Sequence, residues 1–134
     1  MRIAALFLLV CVYAAASDLP WHTLVVKNMN SWYALHYRWF DIDGTVEWWS
    51  EPRTISHGVE SKFVIKSCGK LSLLWQTRYF AGPPKESVKI DFHTDEHGKF
   101  VDLQCTISFQ EHSTECKWGR VNDAFVFWID TSQV

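Results

Sequence analysis

Along most of the chain, apolar and polar residues alternate with a period of two, the pattern of strands that bury one face and wet the other. From Lys99 to Phe109, the residues Val101, Leu103, Cys105, Ile107 and Phe109 fall on one side, against Asp102, Gln104, Thr106 and Ser108. Leu71, Leu73, Trp75 and Tyr79 repeat this against Ser72, Gln76 and Arg78, and Val88, Ile90 and Phe92 against Lys89, Asp91 and His93. Lys62 and Lys66 alternate with Phe63 and Ile65, which predicts a solvated face rather than a basic patch. Tyr33, Leu35, Tyr37 and Trp39 form an apolar face opposite His36 and Arg38. The last run, Ala124 to Ile129, is apolar on both sides. It predicts a central strand covered twice, or a strand whose outer face binds something.

Turn signals separate these runs: Asn28-Met29-Asn30, Asp43-Gly44, His57-Gly58, Gly82-Pro83-Pro84 and His97-Gly98. Asp43-Gly44 can supply the positive φ angles of a tight hairpin between two aromatic strands, and His97-Gly98 marks a second hairpin. No window carries a helical stripe. The pattern predicts an all-β fold, a single antiparallel β-sandwich of about seven or eight short strands, with a barrel as the alternative.

The N-terminus departs from this pattern. Met1-Arg2, an apolar run from Ile3 to Tyr13 and the small residues Ala14 to Ser17 form a secretory signal peptide. That run is shorter than the roughly 20 apolar residues of a spanning helix. The expected organisation is a signal peptide over 1–17 and one β-domain over 18–134, exported to the extracellular space. Cleavage removes Arg2 and no acid, so the formal charge of −2 becomes −3. With its basic residues scattered, the domain lacks the clustered basic face of a nucleic-acid binder.

Cys11 leaves with the signal peptide, so Cys68, Cys105 and Cys116 remain. An oxidising compartment predicts one disulfide, and the odd cysteine is either buried or free to link a homodimer. Cys68 and Cys116 both sit in segments that read as loops, while Cys105 lies on an apolar strand face. The preferred pair is therefore Cys68–Cys116, with Cys105–Cys116 the alternative.

Chemistry-bearing clusters are few. His93-Thr94-Asp95-Glu96-His97 gathers two imidazoles and two carboxylates that could meet a divalent metal in a small metal-assisted hydrolase. It lies at a hairpin tip, however, and reads more simply as a solvated polar turn. No Gly-x-Ser-x-Gly elbow or phosphate-cradling glycine loop is present, and no catalytic set, metal or cofactor is expected. The aromatic residues say more. Four of the eight tryptophans fall between Trp32 and Trp49. Trp32 and Phe40 lie opposite the predicted core face of their strand, and Trp48 and Trp49 must point to opposite faces of theirs. Trp32, Phe40, Trp48 and Trp49 are therefore candidate ligand-binding residues, suited to sugar rings or a lipid interface.

Three patches resemble the aegerolysins, a family of small secreted β-sandwich proteins. They are Trp21-His22-Thr23-Leu24-Val25-Val26-Lys27-Asn28, the strand Phe63-Val64-Ile65-Lys66-Ser67-Cys68-Gly69-Lys70 after Gly58, and Cys116-Lys117-Trp118-Gly119-Arg120 with Asn122. The third patch lacks that family's proline, and Cys105 is an additional cysteine. The resemblance implies a lipid-binding or membrane-active secreted protein without a cofactor, and it adds Trp118 to the candidate ligand-binding rings. Together these readings predict a secreted, non-enzymatic recognition module in a toxin, defence or effector role. Its partner would be a membrane lipid or glycan surface, or another protein as the alternative.

Overall fold

The computed structural model describes residues 19–30, 34–78, 86–108 and 113–132. All regular structure among them is strand: β1 (His22–Asn28), β2 (Ala34–Ser50), β3 (Glu60–Arg78), β4 (Ser87–Thr94), β5 (Phe100–Ser108), β6 (Ser113–Val121) and β7 (Ala124–Ser132). Alternation places the core as expected. Phe63, Ile65, Leu71, Leu73, Trp75, Val88, Ile90 and Phe92 are fully buried, as are Phe125, Phe127 and Ile129 of the last strand. Strand β7 is indeed central, lying between β1 and β6, and Val126 on its other face is also buried.

The all-β class holds, but the strands pair into one nearly closed, barrel-like sheet rather than a two-layer sandwich. Its order is β5-β4-β3-β1-β7-β6, with β2 on the other edge of β3. β1 and β7 pair in parallel, bringing the two ends of the domain together, and the other pairings are antiparallel.

Closure rests on the long hairpin of β2 and β3. Asp43-Gly44, expected to be a tight turn joining two aromatic strands, lies instead in the middle of β2, which runs unbroken through both of them. Gly44 faces Gly69 across the ladder, at φ +138° and +114°. A Cβ on Gly44 would sit 1.9 Å from the Cys68 carbonyl oxygen, and one on Gly69 would sit 2.0 Å from that of Asp43. Only two glycines let the backbones approach so closely, and the hairpin bends there. The bend is sharp enough to bring the connecting loop back to the far end of β2. Leu35 N–H donates to Ile55 C=O and Ile55 N–H to Leu35 C=O, both at 2.8 Å. The Trp75 indole donates to Arg53 C=O at 2.9 Å, and the buried Asn28 side chain donates to Ile55 C=O at 3.1 Å.

On the opposite side, β5 and β6 lie next to each other without a shared ladder among the described residues. A disulfide joins them there, Cys105–Cys116, with its Cα atoms 6.0 Å apart. This corrects the preferred Cys68–Cys116 pairing. Cys68 is not a loop residue but lies within β3, fully buried. Alternation alone could not separate a loop cysteine from one beside a mid-strand glycine.

Candidate functional site: the aromatic patch on the bent hairpin

Two irregularities in β2 decide where its rings point. The register with β3 slips between Tyr37, opposite Trp75, and Trp39, opposite Leu74. Arg38 is the extra residue, and its Nε donates to Gln76 Oε1 at 2.8 Å. A bulge of this kind reverses the alternation that follows it. Leu35 is buried and Tyr37 packs against the core as expected. Trp39, assigned by alternation to the same face, is instead 44% exposed on the outer one. Phe40 and Ile42 take the inner phase, opposite Leu73 and Leu71.

The second slip falls between Trp48 and Ser50. Trp48, opposite Ile65, is partly buried against the core, whereas Trp49 stands out at 76% exposure. Phe40 and Trp48 are eight positions apart, roughly 26 Å along a straight strand. Their ring centroids nevertheless lie 5.1 Å apart, edge to face. The bend at Gly44 makes that contact.

Trp49 does not stand alone. Trp21, just before β1, meets it edge to face at 5.7 Å. The Lys66 ammonium of β3 lies 4.5 Å from the centre of the Trp21 ring. An edge-to-face pair contributes about 0.5–1.5 kcal/mol and an exposed cation–π contact about 0.5–1 kcal/mol. Two partly exposed indoles and an ammonium are thus held in place on the surface before any ligand arrives. Sequence reading did not select Trp21 or Lys66 for this patch. Cross-strand register puts Lys66 opposite Glu47, two residues from Trp49, but that register is legible only once the bend is known.

The other candidates go elsewhere. Trp32 lies outside the described residues. Trp118, 40% exposed on β6, makes its ring contacts with Phe100 at 6.2 Å and Phe125 at 6.4 Å, covering the β5–β6 seam. Beside them, His22 packs on Phe92 and Phe125, and its Nε2–H donates to Gly98 C=O at 2.6 Å. Burial lowers the His22 pKa from 6.5, more than the bond to Gly98 raises it, and Arg120 lowers it further.

The His93–His97 segment forms the end of β4 and the turn into β5. Asp95 Oδ1 accepts the backbone N–H groups of His97 at 2.8 Å and Lys99 at 2.9 Å, so that carboxylate serves the turn. His97 lies 3.7 Å from Glu96, and His93 lies 3.7 Å from Asp102. Among the described residues, no three such side chains gather with metal-binding geometry. On the outer face of β3–β5, the Ser72 hydroxyl donates to Asp91, so it is already committed to a carboxylate. No helix among the described residues is long and apolar enough to cross a membrane. No protein-family model matches the chain, and no curated protein matches it in sequence.

Proposed function

We propose that the protein is a secreted, non-enzymatic recognition module that binds a lipid or membrane surface through the Trp21–Trp49–Lys66 patch, in a toxin, defence or effector role. The observation that carries this reading is Trp49, 76% exposed on a strand bulge yet ordered by Trp21 beneath a lysine. Burying an indole in the protein would be the ordinary outcome, and leaving it in water forgoes about 1.5–3 kcal/mol typical of a large apolar side chain. Indoles favour the headgroup region of a bilayer, where the ring body is sheltered and the N–H stays wet. A neighbouring ammonium adds attraction to anionic headgroups, worth about 1 kcal/mol near the surface. The aegerolysin resemblance points in the same direction, and the Cys105–Cys116 bond suits an oxidising compartment.

Co-sedimentation with phosphatidylcholine vesicles, with and without phosphatidylserine, tests the proposal. Wild type should pellet with the mixed vesicles, Trp49→Ala should lose most of that binding, and Lys66→Ala should lose the dependence on phosphatidylserine. Failure to bind any vesicle composition would overturn it. Binding to a glycan array that disappears in Trp49→Ala would then assign the patch to sugar instead.

A further inference from the structure

We infer that the free edge of β2 between Trp39 and Asp43 is a docking edge for an extended, basic, amphipathic peptide segment. This surface is separate from the Trp21–Trp49 patch and does not depend on its role.

Among the described residues, β2 has a strand partner along one edge, β3. On the other edge, the protein already adds a short piece of extended chain at the strand's start. Leu35 exchanges both backbone bonds with Ile55, and Tyr37 N–H donates to Thr54 Oγ1 at 3.2 Å. The edge is therefore competent to pair, and Trp39–Asp43 continues it with no strand partner among the described residues. After the bulge at Arg38, Phe40 and Ile42 take up the phase of Leu35 and Tyr37. Their N–H and C=O groups accordingly turn away from β3.

The side chains define the occupant. Asp41 and Asp43 are both exposed on the outer face, and neither forms an ion pair among the described residues. Phe40 is 44% exposed and Ile42 is partly exposed on the inner side. A strand laid along this edge thus meets carboxylate, apolar, carboxylate at alternate positions. Its complement is basic, apolar, basic, with cations opposite Asp41 and Asp43 and an aliphatic residue against Phe40 and Ile42. A second copy of the chain fits poorly. An antiparallel pair of β2 strands centred on Gly44 sets Asp41 against Glu47, a like-charge contact on each side of the axis.

The probe is an acetylated and amidated alternating lysine–valine octapeptide, compared with its glutamate–valine counterpart and with a version N-methylated at alternate amides. Hydrogen exchange of the full-length protein should show Phe40 and Ile42 amides protected by the lysine–valine peptide alone. Asp41→Lys/Asp43→Lys should weaken binding by about tenfold or more, since two attractive contacts become repulsive. Both positions are exposed, and an unchanged near-UV circular dichroism spectrum confirms the variant's fold. Equal binding of the N-methylated peptide would mean that charge alone acts, and would overturn the inference. So would protection that falls elsewhere, or no protection at millimolar peptide.

Discussion

Replacing Gly44 by alanine should damage this fold far more than replacing a glycine in open space, because the added methyl has nowhere to go. Its Cβ would lie 1.9 Å from the Cys68 carbonyl oxygen and 3.1 Å from the Gly69 Cα, at a φ of +138°. Ordinary contacts begin near 3.5 Å, so β2 and β3 must separate by roughly 1.5 Å at the bend. Two contributions follow. The φ value costs about 1–3 kcal/mol for a residue with a side chain. Spreading the ladder weakens one or two backbone hydrogen bonds, at about 1 kcal/mol each. The sum is about 2–5 kcal/mol, a large part of the 5–15 kcal/mol typical of a whole domain. Gly58 is the control, since its φ is +71° but nothing lies within 4 Å of its Cβ position. Gly58→Ala should cost only about 1–2 kcal/mol. Urea unfolding followed by tryptophan fluorescence measures both, and thermal melting should place Gly44→Ala at least about 8 °C below wild type. If Gly44→Ala costs no more than Gly58→Ala, the facing glycines do not enforce the bend and closure of the barrel does not rest on them.

Breaking the Cys105–Cys116 bond by a double alanine substitution should lower stability by about 2–3 kcal/mol for its sequence separation of 11, read from urea midpoints. His22 has a folded pKa below 6.5, so the unfolded chain binds its proton more readily. Stability should therefore fall as pH drops below about 6.5 and towards the folded pKa. The neutral variant His22→Gln should flatten that part of a pH series of urea midpoints. Asn122 and Asp123 turn β6 into β7 with φ values of +50° and +66°, the signature of a type I′ hairpin. Asp123→Gly should raise stability by about 0.5–1 kcal/mol in the same assay, since glycine adopts that conformation without strain. Trp49→Ala should lower stability by no more than about 0.5–1.5 kcal/mol, the worth of its edge-to-face contact with Trp21, because the ring lies outside the core. A larger loss would show that Trp49 holds the fold rather than a ligand.

Period-two alternation was sufficient to determine the all-β class and most of the core, but not every strand: Cys116, read as a loop residue, lies within β6. Phe63, Ile65, Leu71, Leu73, Val88, Ile90 and Phe92 are buried where the pattern places them, because side-chain direction in a strand depends only on local geometry. The covered state of β7 was legible for the same reason, from apolar residues on both faces. Three decisions lay beyond that reach. The parallel pairing of β1 with β7 joins residues about a hundred positions apart, and no local pattern encodes a partner. Gly44 reads identically as a hairpin turn or as a mid-strand bend, and only its apposition to Gly69 tells them apart. The bulges at Arg38 and Trp49 shift alternation by one residue, which exposed Trp39, sent Phe40 to meet Trp48, and left Trp49 in water beside Trp21. Composition thus determined that this small domain carries more rings than one core can take. Which rings reach the surface was decided by where the ladder slips, a property of two strands together and of neither alone.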